Sequence, residues 1–159
     1  MRAYPMFFET QVERRCGLHA VHNLMRSSAV TLDEMNEAAA ACAEESEDTR
    51  ENHVSAAGDW SMDTLRRVLT ARGFQVRRTV RVSAAGVRWD VAPMQDLLED
   101  PRALGFIIVH RDHYACLRKH EGAWELCDSL DDAPLPVEAE HFCRQLLYQR
   151  CTAFLVREA

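Results

Sequence analysis

Apolar residues along the first half of the chain recur at helical spacing. In CGLHAVHNLMR (16–26), Leu18, Val21 and Met25 fall on one face with Leu24 beside them, so a helix is expected from at or just before Cys16. Thr31 can cap a second helix through LDEMNEAAAACAEE, with Glu34 three residues on completing a capping box. The stretch 44–57, EESEDTRENHVSAA, is polar and acidic and reads as a loop or a loose helical arm. A third helix follows Trp60, with Ser61 as cap, MDTLRRVLTAR as body and Gly73 as stop. Beyond Gly73 the period shortens to two. FQVRRTVRV, GFIIVH (105–110), HYACLR (113–118), AWELCD (123–128) and TAFLVRE (152–158) read as strands. Short helices are expected at Pro93 to Glu99 and over 137–149. Helices first and an antiparallel sheet second make the class α+β.

Composition narrows the function classes. A length of 159 residues suits one domain, 1–159, able to bury a core without staples. Net charge is −6 with no basic run, so nucleic acid is not an expected partner. No stretch approaches the roughly 18 apolar residues of a membrane helix, and MRAYPMFFET carries no signal-peptide pattern. None of the six cysteines (Cys16, Cys42, Cys116, Cys127, Cys143, Cys151) sits in a CxxC pair. Reduced thiols in a cytosol, the chain's own or a host's, and a monomer are expected.

The chemistry gathers around the hairpin at KHEG (119–122). A symmetric four-residue turn sets Leu117 opposite Trp124 and Ala115 opposite Leu126, apolar against apolar. The same register places His113 opposite Asp128 on the same face, within the reach of a cross-strand pair. A carboxylate there can accept the ring N–H and leave the other nitrogen as a base. Cys16 is the candidate nucleophile: a helix N-terminus and the preceding Arg14 and Arg15 favour a thiolate. Gln11, five residues earlier, could donate to an oxyanion. Each feature alone has an ordinary structural explanation; their combination and order point to thiol catalysis.

Two further signals are weaker. Cys16, His19 and His22 have C-x2-H-x2-H spacing. On a helix the sixth residue on points well away from the first, so these three do not converge and no metal is expected there. Cys127 adjoins Asp128 but turns to the other face, where it packs.

FFETQVERRCGLHAVHNLM, GDWSMDTLRRVL and DHYACLRKHEGAWELCDSL resemble, in order, the opening, the Gly-led helix and the His strand with its Asp-Ser-Leu ending of the Josephin domain. That is the papain-like fold of the ataxin-3 and Josephin deubiquitinases. The resemblance implies Cys16 as nucleophile, His113 as base, Asp128 as orienter and Gln11 as oxyanion donor, with no cofactor. It also implies a helical hairpin arm over 31–57 and ubiquitin or polyubiquitin as partner, with Met62 and Asp63 as possible contacts. Departures from the family pattern are Tyr114 in place of Trp, Cys127 before Asp128, and His22 where Asn is common. The rivals are a papain-like leader peptidase cutting after a double glycine, which shares Gln-x4-Cys-Gly, and a non-catalytic ubiquitin-binding module.

Overall fold

Capping side chains start two of the three helices among the described residues. In the computed structural model, which describes residues 7–10, 15–47, 53, 60–83, 86–89, 98–110, 113–120, 122–131, 133–138, 141 and 151–159, α1 spans Cys16–Met25, α2 Leu32–Glu45 and α3 Met62–Ala71. Thr31 Oγ1 accepts from the Glu34 N–H at 3.1 Å and so caps α2 as its sequence predicts. Ser61 Oγ does the same for the Thr64 N–H at 3.2 Å. Gly73, at φ 91°, lies just past the end of α3.

Seven strands follow: β1 (Phe74–Ser83), β2 (Gly86–Trp89), β3 (Ala103–His110), β4 (His113–His120), β5 (Ala123–Cys127), β6 (Leu135–Val137) and β7 (Thr152–Glu158). They form one antiparallel sheet in the order β2-β1-β7-β3-β4-β5-β6. The helices cover one face, where Val21, Leu24, Leu65 and Leu69 meet Ile107, Tyr114, Cys116, Phe154 and Val156. On the other face Phe106, Ile108, Leu117 and Leu155 pack with Leu98, Trp124 and Leu126. Covering both faces explains why Phe106-Ile107-Ile108 reads as a continuous apolar run rather than an alternation.

Several expectations change. The hairpin register is shifted by two residues: Leu117 pairs with Leu126, Arg118 with Glu125 and His120 with Ala123. Two residues, not four, form the loop, and its second residue, Gly122, sits at φ 80°, a backbone region few other residues adopt readily. A slip of two leaves every side chain on its original face, so apolar pairing could not detect it. The pairing of Arg118 with Glu125 could have, because in the expected register neither meets an opposite charge. The strands β2 and β6 were not foreseen. They hold four and three residues at the two edges of the sheet, and the Pro136 of β6 is tolerated there because an edge strand can spare an N–H. β6 also occupies the start of the helix expected over 137–149; of the rest only residues 138 and 141 are described, and the Pro93–Glu99 helix is described only at 98–99.

The arm over 31–57 is not loosely packed where it is described. Met35 and Ala39 of α2 are fully buried, and Ala38, Cys42 and Ala43 are nearly so, against α3. Alanine lets two helices approach closely. The Glu34 carboxylate also accepts from Arg72 at 2.5 Å, linking α2 to the end of α3. Within the acidic stretch, His53 is buried and acts as an anchor. Its Nδ1 lies 2.9 Å from Ser61 Oγ, its Nε2 lies 3.3 Å from Ser46 Oγ, and its carbonyl accepts from the Ser61 N–H at 2.9 Å.

Candidate active site

Cys16 is the first residue of α1, preceded by Arg15 at the cap position, and no carboxylate lies in the first helical turn. An acidic residue there would repel a thiolate; none opposes it. The helix comes unusually close to its neighbours at Gly17. A Cβ at that position would lie 3.3 Å from Leu65 Cδ1, 3.5 Å from Tyr114 Cδ2 and 3.7 Å from Trp60 Cε3. Tyr114 donates its hydroxyl to the Trp60 carbonyl at 2.8 Å. The residue after His113 therefore ties β4 to the entrance of α3 while its ring seats the start of α1.

His113 opens β4 and Asp128 directly follows β5. His113 Nε2 lies 2.7 Å from Asp128 Oδ1, although the observed register puts Asp128 two positions short of directly facing His113. A diagonal pair of this kind is within reach of an imidazole. The Asp128 Oδ1 also accepts from the Leu130 N–H at 3.0 Å, which fixes the carboxylate from its own loop. The Cys16 side chain lies near enough to the same imidazole to favour its protonation. With Nε2 turned to Asp128, Nδ1 is the nitrogen left for the thiol. The hydrogen bond to Asp128 and then the neighbouring Cys16 raise the pKa of His113 from 6.5 to about 10, against the opposing effect of burial. Burial pushes the Asp128 carboxyl up, but its bonds from His113 and Leu130 outweigh that and hold it below its usual range. About a quarter of each of these two side chains stays exposed, so the pair is open to solvent.

The helix carries a second imidazole–carboxylate cluster along its flank. His19 and His22 do not meet Cys16; they meet Glu9. Glu9 Oε2 lies 2.8 Å from His19 Nδ1 and 2.7 Å from His22 Nδ1. The other ring nitrogen of His22, Nε2, lies 2.6 Å from the Val30 carbonyl. Asn23 holds the backbone of Glu9 from both sides, accepting its N–H at 2.7 Å and donating to its carbonyl at 3.3 Å. Glu9 is not among the expected site residues, because nothing in a local pattern says which residue the flank of α1 will face. The interaction of Glu9 with both histidines lowers its pKa although burial opposes it.

The family model named Josephin matches residues 11–157 of the chain. The chain belongs to the Josephin family. No curated protein matches it. Josephin domains are papain-like, and the helices packed on an antiparallel sheet agree with the α+β class. The family is known for deubiquitinase-type cysteine protease activity and binds ubiquitin in general.

In this Josephin chain the structure brings Cys16, His113 and Asp128 together, and Met62 and Asp63 open α3. Met62 is half-buried and packs against the helix-side core. Asp63 is exposed and lines the groove between α2 and α3 with Cys42, Glu45 and Arg67. Gln11 lies outside the described residues, as does Arg14. Cys127 pairs directly with Cys116 on the helix side of the sheet and is buried, as packing predicts. All five described cysteines are free thiols. Among the described residues no helix is long and apolar enough to cross a membrane.

Proposed function

We propose that this chain is a cysteine-dependent deubiquitinase that hydrolyses the peptide or isopeptide bond after the C-terminal glycine of ubiquitin. The single observation that carries the reading is the His113 imidazole held between Asp128 and Cys16. A raised imidazole pKa suits an imidazolium that can pair with a thiolate and later give up its proton. The Cys16 thiolate attacks the glycine carbonyl. The His113 imidazolium gives its proton to the departing lysine amine, leaving a thioester on Cys16. Neutral His113 then takes a proton from water as the oxygen attacks the thioester, and the thiolate leaves to restore the pair. Asp128 keeps Nε2 occupied, so the other nitrogen stays aimed at the sulfur.

Gln11 is the proposed oxyanion donor. Its support is its place in the chain, two residues beyond Glu9, which α1 holds by side chain and backbone alike. The whole chain acts as one catalytic domain and a monomer, with ubiquitin or polyubiquitin as partner in a reducing cytosol. Exposed Asp63 is the better placed of the two helix contacts for ubiquitin; Met62 divides its surface with the core.

Ubiquitin carrying a C-terminal electrophile tests the assignment. The wild-type chain should form one covalent adduct, and Cys16→Ala should form none while keeping its fold. Capture at the same rate on another cysteine would overturn Cys16 as nucleophile. Tight ubiquitin binding without any adduct would instead favour a binding module.

A further inference from the structure

We propose that Glu9, His19 and His22 form a binding site for one divalent cation of the zinc class. The three donor atoms come from two segments and lie within 4.8 Å of one another. Cys16 is not among them, so the proposal stands apart from the reading of the thiol as nucleophile.

The hydrogen-bond geometry of His22 points to a cation. Its Nε2 lies 2.6 Å from the Val30 carbonyl, which can only accept, so Nε2 carries a hydrogen. In a neutral ring Nδ1 then presents a lone pair, and it does so at 2.7 Å from a carboxylate oxygen. Two acceptors do not sit at that distance facing each other. An electropositive centre belongs between them, either a proton or a metal ion. The His19 Nδ1 converges on the same oxygen at 2.8 Å.

The surroundings fit a metal. A ring N–H bound to a backbone carbonyl is the outer contact that typically fixes a metal-binding histidine. Two imidazoles and one carboxylate are a recurrent zinc donor set that leaves a coordination position open. Bonds of about 2.0–2.2 Å place tetrahedral ligands about 3.3 Å apart, so the two Glu9 contacts must each widen by about half an ångström. Glu9 can supply that movement, because a quarter of its side chain is exposed while those of both histidines are largely buried. Asn23 keeps its backbone in place as it does so. A bound ion would fasten residues 7–10 to the helix that begins with Cys16.

Cobalt(II), whose visible absorption reports coordination, is the probe. The full chain should bind one equivalent saturably, and Cys16→Ala should bind it equally well. Glu9→Gln and, separately, His22→Asn should weaken binding by about tenfold or more, the scale on which even outer-shell changes act. Should His22→Asn not fold, zinc-induced shifts of the His19 and His22 ring nitrogens in the intact chain give the same answer. No saturable binding would overturn the proposal and leave a proton in the cluster. Binding that survives Glu9→Gln, or that is lost in Cys16→Ala, would place the ion elsewhere and overturn it too.

Discussion

The two ends of α1 are built to opposite specifications. At its N-terminus Cys16 has no side-chain cap above it, and its partners His113 and Asp128 are part-exposed. At its C-terminus buried Arg118 donates to the Asn23 carbonyl at 2.7 Å and to Glu125 at 2.6 Å. Arg26, in the left-handed conformation, ends the helix and reaches the Lys119 carbonyl. Arginines at a helix C-terminus satisfy its last carbonyls and favour its dipole. Both ends rest on the same hairpin, β4 with β5, which presents His113 and Asp128 at its open end and Arg118 and Glu125 nearer its turn. The difference teaches where order is invested. The buried end fixes the helix against the hairpin, and the exposed end is left with groups that can change protonation and partner. His113 and His22 repeat the contrast: one imidazole is part-exposed beside a buried thiol, while the other is buried with both nitrogens engaged.

Changes at the N-terminal end should therefore abolish turnover and spare the fold. His113→Ala removes both proton transfers, and a loss of about 10²–10⁴-fold in kcat is expected from general acid–base catalysis alone. Hydrolysis of a fluorogenic ubiquitin conjugate measures it, with the unfolding midpoint as control. An equal fall in stability and activity would erase the distinction between the ends.

The reverse outcome is expected at the buried end. Glu125→Ala leaves Arg118 buried without its carboxylate, which costs about 3–5 kcal/mol of stability. Where the variant remains folded, its kcat should stay near wild type. Denaturant unfolding and turnover at low temperature separate the two. A kcat that falls with no loss of stability would show that this pair works through the active site.

Asp128→Asn sharpens the comparison through pH. The raised pKa of His113 stabilises the fold fully below 6.5, and that contribution fades as pH rises through about 10. The lowered pKa of Asp128 stabilises it above 3.8, and that contribution is lost as pH falls further. The stability gap between wild type and Asp128→Asn should be widest between these limits, at about pH 4–6.5, and close on both sides. Unfolding curves across pH provide the test; a gap constant with pH would mean that the two groups are not ionically linked. Turnover should fall less than in His113→Ala, because the ring survives without its orienting partner.

Much of this was legible in the sequence, for reasons that differ between elements. The helices α2 and α3 carry their own start signals in Thr31 and Ser61, and α1 carries a periodic apolar face. Cys16, His113 and Asp128 could be brought together because strand alternation and helix position are local properties. The register could not be fixed by apolar pairing, since Leu117 meets an apolar partner in either alignment. Edge strands β2 and β6 owe their structure to pairing with β1 and β5 rather than to their own residues. Glu9 and His53 were invisible because each draws its role from residues that only the fold brings near.

The smallest expected effect concerns α2, the alanine-rich helix that packs on α3. Its burial of Met35, Ala38, Ala39 and Cys42 against α3 argues that it moves with the body of the protein. Thr31→Ala removes the bond to the Glu34 N–H and should cost about 1 kcal/mol, the usual worth of an N-cap. If α2 unfolds only with the whole, that loss appears in full in global unfolding, and amide exchange across Leu32–Glu45 accelerates together with that of α3. If instead α2 opens alone as a gate, the midpoint stays fixed and exchange rises in α2 only. Turnover then decides what such opening does: a gate would raise or lower kcat with the cap, whereas a packed helix leaves it unchanged. The buried alanines favour the packed helix, with an unchanged kcat and a shared acceleration of α2 and α3.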